Sequence, residues 1–158
     1  EWQQAYSEAV TWGVPGLRER GQVRRSGVRI DRDLGPEPPP EWAKDMAQGI
    51  IAGGAGFREA YFLVHASRTL LLCDLIENLE TAKLPPLSGL LMRAAGATDG
   101  TTARHVRTSL RLGGAGTAAA IRTMVDLAPD RVIFAHGRYF AGNGARRLRQ
   151  AFAWVDGS

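Results

Sequence analysis

Short alternating or continuous apolar runs, separated by longer stretches with helical spacing, predict a mixed α/β protein. Glu1 to Tyr6 reads as the tail of a helix. Ala9 to Val14 alternates and reads as a strand closed by Pro15-Gly16. Leu17 to Val23 is expected to make a short helical turn and a loop, and Val28 to Ile30 a short strand. Gly35-Pro-Glu-Pro-Pro-Pro40 is a stiff surface connector, because proline fixes φ and donates no backbone hydrogen bond. Trp42 to Ala52 fits a helix or a strand, and Ala52-Gly-Gly-Ala-Gly56 is a flexible turn. Glu59 to His65 and Thr69 to Asp74 are strands joined through Ala66-Ser67-Arg68, an antiparallel hairpin.

Helices are expected over Leu87 to Ala95, from a cap at Thr101 or Thr102 to about Leu112, and over Thr117 to Leu127. Asn143 is the expected cap of a last helix, Gly144 to Trp154, with Leu148, Ala151 and Phe152 on its inner face. Arg131 to Ala135, a short apolar run, reads as a buried strand. This order predicts a helix-covered sheet in a single domain, residues 1–158.

The 158 residues suffice for one substantial core. No run of about 18 apolar residues exists, so no membrane span or membrane partner is expected. The opening residues lack the basic and apolar regions of a secretory signal, and Cys73, the single cysteine, allows no intrachain disulfide. Both features point to the cytoplasm. The net charge is +4, and of 20 basic residues only Lys44 and Lys83 are lysine. Arginine is densest from Arg18 to Arg32 and in Arg146-Arg147-Leu148-Arg149. Guanidinium groups grip phosphate well, so nucleic-acid binding stands as a further alternative. The arginines are dispersed and interleaved with acids in the first half. A solvated basic face without a nucleic-acid partner is therefore the expectation.

Two apolar strands stop on residues that can hold a metal: Asp74, and His136 followed by Gly137. A carboxylate at one strand end and an imidazole at another are what a hydrolytic metal centre at a sheet rim needs. The competing readings are a turn-capping carboxylate and a strand-end histidine bonded in the core. Glu77 and Asn78 follow Asp74 closely enough to orient it. Arg68, in the hairpin turn, is a candidate for an anionic substrate; a salt bridge to Glu59 or another acid is the competing reading. His65 is expected half-buried at the hairpin, and His105 on the surface of a basic helix. Cys73 is expected in the core, since it alternates with Asp74. Gly53, Gly54 and Gly56 have the wrong spacing for a dinucleotide fingerprint. No catalytic residue is assigned.

Ser67-Arg68-Thr69-Leu70, Asp74-Leu75 and Asn78, with Ala135-His136-Gly137, Asn143-Gly144 and Ala151-Phe152-Ala153-Trp154, resemble the family called DUF4336. Trp2, Tyr6, Ala9 and Trp12-Gly13-Val14-Pro15-Gly16-Leu17 belong to the same pattern, so the likeness extends over nearly the whole chain. DUF4336 is a distant branch of the metallo-beta-lactamase-like superfamily. The resemblance implies an αββα sandwich with a metal site at the sheet rim, built from five short motifs. It puts Asp74 at the aspartate that bridges two metals and His136 at the final histidine. The His-x-His-x-Asp-His motif is not in this sequence. The chain is therefore expected to be truncated, the C-terminal two thirds of the family domain without its first strands. The middle histidine would fall near Ala52 to Gly56, where none stands.

The resemblance thus implies a metal-dependent hydrolase-like protein using zinc, iron or manganese on a small-molecule ester, thioester, amide or phosphoester. As this fragment, with an incomplete metal site, it is expected to be inactive. The alternative is a degenerate, non-catalytic binding domain of the same fold. An exposed sheet edge leaves an oligomer open.

Overall fold

The computed structural model describes residues 2–156. Its first part carries little regular structure: α1 (Trp2–Ala5), β1 (Trp12–Gly13), α2 (Gly21–Ser26) and β2 (Arg32–Asp33). Glu1, expected in the opening helix, lies outside the described residues. β1 and β2 pair in parallel, with Trp12 opposite Arg32. The strand expected over Ala9–Val14 is thus cut to two residues, and its partner lies beyond Val28–Ile30 rather than on it. Side chains take the backbone groups a longer ladder would use. The Asp31 carboxylate accepts the Thr11 N–H at 2.8 Å, and Gln3 bonds both the N–H and the carbonyl of Arg29. The short helix starts at Gly21, not Leu17, because a turn closed by Leu17 N–H on the Val14 carbonyl precedes it.

The rest of the chain forms β3 (Met46–Ala52), β4 (Arg58–Val64), β5 (Thr69–Leu71), β6 (Glu77–Asn78) and α3 (Pro86–Ala95). Then follow α4 (Arg104–Leu112), α5 (Gly114–Asp126), β7 (Arg131–Ile133), β8 (His136–Gly137) and α6 (Gly144–Ala151). Trp42–Ala52 resolves into a turn, Met46 N–H to the Trp42 carbonyl at 2.9 Å, followed by the strand β3. The main sheet has the order β3-β4-β5-β7. β3 and β4 are antiparallel, as are β4 and β5, with Val64 opposite Thr69 across the expected hairpin. β5 and β7 run parallel, Leu70 opposite Val132, and β6 and β8 form a separate parallel pair.

One sheet face, carrying Ile51, Tyr61, Leu63, Leu70 and Val132, joins a single core with Val106 and Leu110 of α4, Ile121 and Met124 of α5, and Leu148 and Ala151 of α6. Burying each large apolar side chain contributes about 1.5–3 kcal/mol, so this cluster is the main stabiliser of the fold. Arg131–Ala135 is not buried throughout: Val132 and Phe134 point inward while Arg131 and Ile133 are exposed. β7 is the last strand of its sheet, and Phe140 closes its outer edge by exchanging backbone bonds with Val132.

Neither predicted threonine caps α4. Ala103 holds that position, because Thr101 is tied into a bridge with Glu77 and its hydroxyl accepts from Arg107. Asn143 sits at the start of α6 but makes no side-chain cap; its φ is 54°, and the Gly144 N–H goes to the Asp130 carbonyl. His65 is exposed rather than half-buried, held by a contact of Nδ1 with the Lys44 carbonyl at 3.1 Å. Cys73 is exposed, not in the core. β5 ends at Leu71, so strand alternation no longer governs where Cys73 points. His105 lies on the surface. Among the described residues, no helix is long and apolar enough to cross a membrane.

Candidate metal centre

The parallel pairing of β5 with β7 creates the site. Leu71 stands opposite Ile133, so the chain leaves both strands at the same end, side by side. Leu72 N–H then bonds the Ile133 carbonyl at 2.8 Å, and Ala135 N–H bonds the Cys73 carbonyl at 3.2 Å. The two segments stay in step past the strands, and this common register brings Asp74 to His136. His136 Nε2 lies 3.0 Å from Asp74 Oδ1, across 62 residues of sequence. The two side chains are 48% and 51% exposed, so the pair faces solvent at the carboxyl ends of two parallel strands. Ligand sites in parallel sheets collect at such ends.

His136 is also gripped from its other side. It opens β8, and its backbone pairs with Glu77 of β6. The next residue, Gly137, has φ 95° and approaches so closely that a Cβ there would stand 2.0 Å from the Asn78 carbonyl oxygen. Asn78 then fixes the following residue twice: Arg138 N–H bonds the Asn78 carbonyl at 3.0 Å, and Asn78 Nδ2 donates to the Arg138 carbonyl at 2.6 Å. Glu77 and Asn78 therefore reach His136 through the backbone ladder and the loop behind it.

Glu59 belongs to the site although no motif in the sequence marks it. It sits on β4, only 6% exposed, in phase with the core residues Tyr61 and Leu63. Continuing the β4–β5 register beyond Phe62–Leu71 puts Glu59 opposite Asp74. There the backbone ladder has stopped, and the Glu59 side chain replaces it. Oε1 accepts the Cys73 N–H at 2.7 Å and Oε2 accepts the Asp74 N–H at 2.9 Å. Burial pushes the Glu59 carboxyl up to about 7, against the opposing effect of these N–H donors. Partial burial, with the neighbouring carboxylates of Asp74 and Glu59, pushes the Cys73 thiol up to about 11. One sequence signal could have revealed Glu59: an acid at a core-phase position of an apolar strand.

Arg68 lies at the other end of β5 from Asp74. Its Nη2 donates to the carbonyls of Leu127 and Ala128, at 3.0 and 2.6 Å, closing the end of α5. Its acidic neighbour is Asp130, at 3.9 Å, and not Glu59. At the Ala52–Gly56 turn, where the resemblance would put a further histidine, α4 closes on the backbone. Gly54 N–H bonds the Ser109 carbonyl at 2.7 Å. A Cβ on Gly53 would stand 2.7 Å from that same oxygen, and one on Gly54 would stand 2.4 Å from Leu112 Cβ. Among the described residues, no third His, Cys, Asp or Glu joins Asp74 and His136 in a metal-binding cluster. The pair suits a divalent ion in donor chemistry but supplies fewer than the three protein ligands a catalytic zinc usually takes.

No family model and no curated protein matches this chain. Solved structures do. The crystal structure of DIM-1 metallo-beta-lactamase superposes with a TM-score of 0.56 at 14% identity, covering 99% of this chain and 61% of that protein. The structure of TMB-1 gives 0.55 at 14% identity, covering 98% and 61%. The chain therefore has a metallo-beta-lactamase-like fold and spans about three-fifths of the length of these neighbours.

Proposed function

We propose that this chain belongs to a metal-dependent hydrolase-like protein of the DUF4336 family, a distant branch of the metallo-beta-lactamase-like superfamily, in which Asp74 and His136 are two of the metal ligands. The observation that carries this reading is the 3.0 Å approach of His136 Nε2 to Asp74 Oδ1 at a solvent-facing rim. Two donors on one tetrahedral ion, each about 2.0–2.1 Å from it, stand about 3.3 Å apart. The pair already meets near that spacing. Zinc, iron and manganese each accept an imidazole beside a carboxylate. A bound ion of this kind supplies Lewis acidity and a water that ionises near neutral pH.

The residues of the chain would hold and orient. Asp74 presents a carboxylate from a turn anchored by Glu59, and His136 presents an imidazole from a ladder anchored by Glu77. Their open side would admit a small-molecule ester, thioester, amide or phosphoester. On this reading the remaining ligands come from the part of the fold that the chain does not span.

A second reading is a non-catalytic binding domain of the same fold. The stretch Ala52–Gly56 favours it, because it holds no histidine and its Gly53 and Gly54 leave no room for a side chain. Elemental analysis separates the two. The protein expressed from its full reading frame and purified without chelator should carry near-stoichiometric zinc, iron or manganese, lost in both Asp74→Ala and His136→Ala. A folded, metal-free protein, or variants that keep their metal, would overturn the first reading.

A further inference from the structure

The Glu59 carboxylate is costly where it stands. A buried charge normally requires a cation partner, and among the described residues no arginine or lysine forms an ion pair with Glu59. Its nearest acidic neighbour, Asp74, repels it. A simple strand-end cap would need neither the burial nor the charge, since a neutral acceptor also satisfies a backbone N–H. What a carboxylate does better is accept two successive N–H groups at once, one on each oxygen. That fixes both the position and the rotation of the turn. The second of those N–H groups belongs to Asp74 itself.

We infer that Glu59 is a positioning residue: its two oxygens clamp the Cys73–Asp74 backbone so that the Asp74 carboxylate stands against His136 Nε2. The Asp74 side chain is half exposed, and the carbonyl of Cys73 is already engaged by the Ala135 N–H. With Glu59 in place, both sides of the Asp74–His136 contact are tied down, Asp74 to β4 of the main sheet and His136 to β6 of the separate two-stranded pair. Where Glu59 is ionised, its charge behind Asp74 also favours a cation in front of it. This last consequence rests on the reading of Asp74 and His136 as metal ligands; the clamp does not.

The test uses the protein expressed from its full reading frame, labelled with 15N and 13C, wild type and Glu59→Gln. The substituted side chain keeps the shape and one acceptor but turns an NH2 group toward a backbone N–H. In wild type, the Cys73 and Asp74 amide nitrogens should show through-hydrogen-bond coupling to the Glu59 Cδ carbon. In the metal-free protein the His136 ring should be held in the tautomer with its proton on Nε2, facing Asp74. In a folded Glu59→Gln protein that tautomer preference should disappear and Zn²⁺ affinity should fall at least about tenfold. A folded variant that keeps both overturns the inference, since Glu59 would then only fill the turn. If the variant does not fold, the wild-type couplings decide: their absence overturns the clamp and their presence supports it. A wild type that binds no Zn²⁺ removes the metal reading and leaves the His136 tautomer to decide the positioning role.

Discussion

Replacing Gly137 by alanine should damage both stability and site. The added Cβ would stand 2.0 Å from the Asn78 oxygen, 2.3 Å from its carbonyl carbon and 2.7 Å from the Leu79 nitrogen. All three are backbone atoms, so no side chain can swing aside. Restoring an ordinary 3.4 Å contact needs a shift of about 1.4 Å between β6 and β8. A non-glycine residue at φ 95° adds about 1–2 kcal/mol. The two bonds between Asn78 and Arg138 are worth about 1 kcal/mol each and would be lost or stretched. The total is about 3–4 kcal/mol, on the order of 10 °C in melting temperature for a chain of this size. Urea denaturation measures the loss. Gly142→Ala is the control, since nothing lies within 4 Å of its added Cβ, and it should change stability by less than about 0.5 kcal/mol. The Gly137→Ala variant should also lose the His136–Asp74 contact, read from the His136 ring nitrogen shifts. A loss under about 1 kcal/mol, with an unchanged His136 ring, would refute the close approach of β8 to Asn78.

Gly116→Ala, inside α5 with open space around its Cβ, should stabilise the protein by up to about 1 kcal/mol in the same assay. Arg68→Ala frees the carbonyls of Leu127 and Ala128 and should cost about 1–3 kcal/mol, while the metal content of the full protein stays unchanged; loss of metal would put Arg68 in the site after all. Glu59 has its folded value raised from 4.5 to about 7, so the folded state holds more protons than the unfolded state between those values. Stability should therefore fall as pH rises from about 4.5 to 7, by roughly 3 kcal/mol if the whole difference is expressed, and Glu59→Gln should flatten the profile. A flat wild-type profile would mean that the N–H bonds of Cys73 and Asp74 outweigh burial.

The hairpin Glu59–Asp74 and the helices with apolar faces were legible because their signals are local. The turn at Ala66–Arg68 and the spacing of Leu148, Ala151 and Phe152 need no distant partner to be read. The opening strands were misplaced because the deciding bonds, from Asp31 and Gln3, are made by side chains. The cap at Thr101 failed for a related reason: its backbone is bridged to Glu77 and its hydroxyl accepts from Arg107, while Ala103 takes the cap position that Thr102 was expected to hold. Asp74 and His136 could be named as metal-binding types at strand ends. Nothing local showed that they meet.

The sequence by itself determined which segments could be strands and helices, because hydrophobic period and turn residues act over a few neighbours. It also determined that a carboxylate and an imidazole each end an apolar run. Only the tertiary structure decided that β5 and β7 are parallel neighbours with Leu71 opposite Ile133. That register carries Asp74 to His136, and no pattern along the chain encodes a pairing across 62 residues. The same holds for Glu59. Its residue type and phase are visible in the sequence, but the N–H groups it holds come from a strand end that only folding puts opposite it.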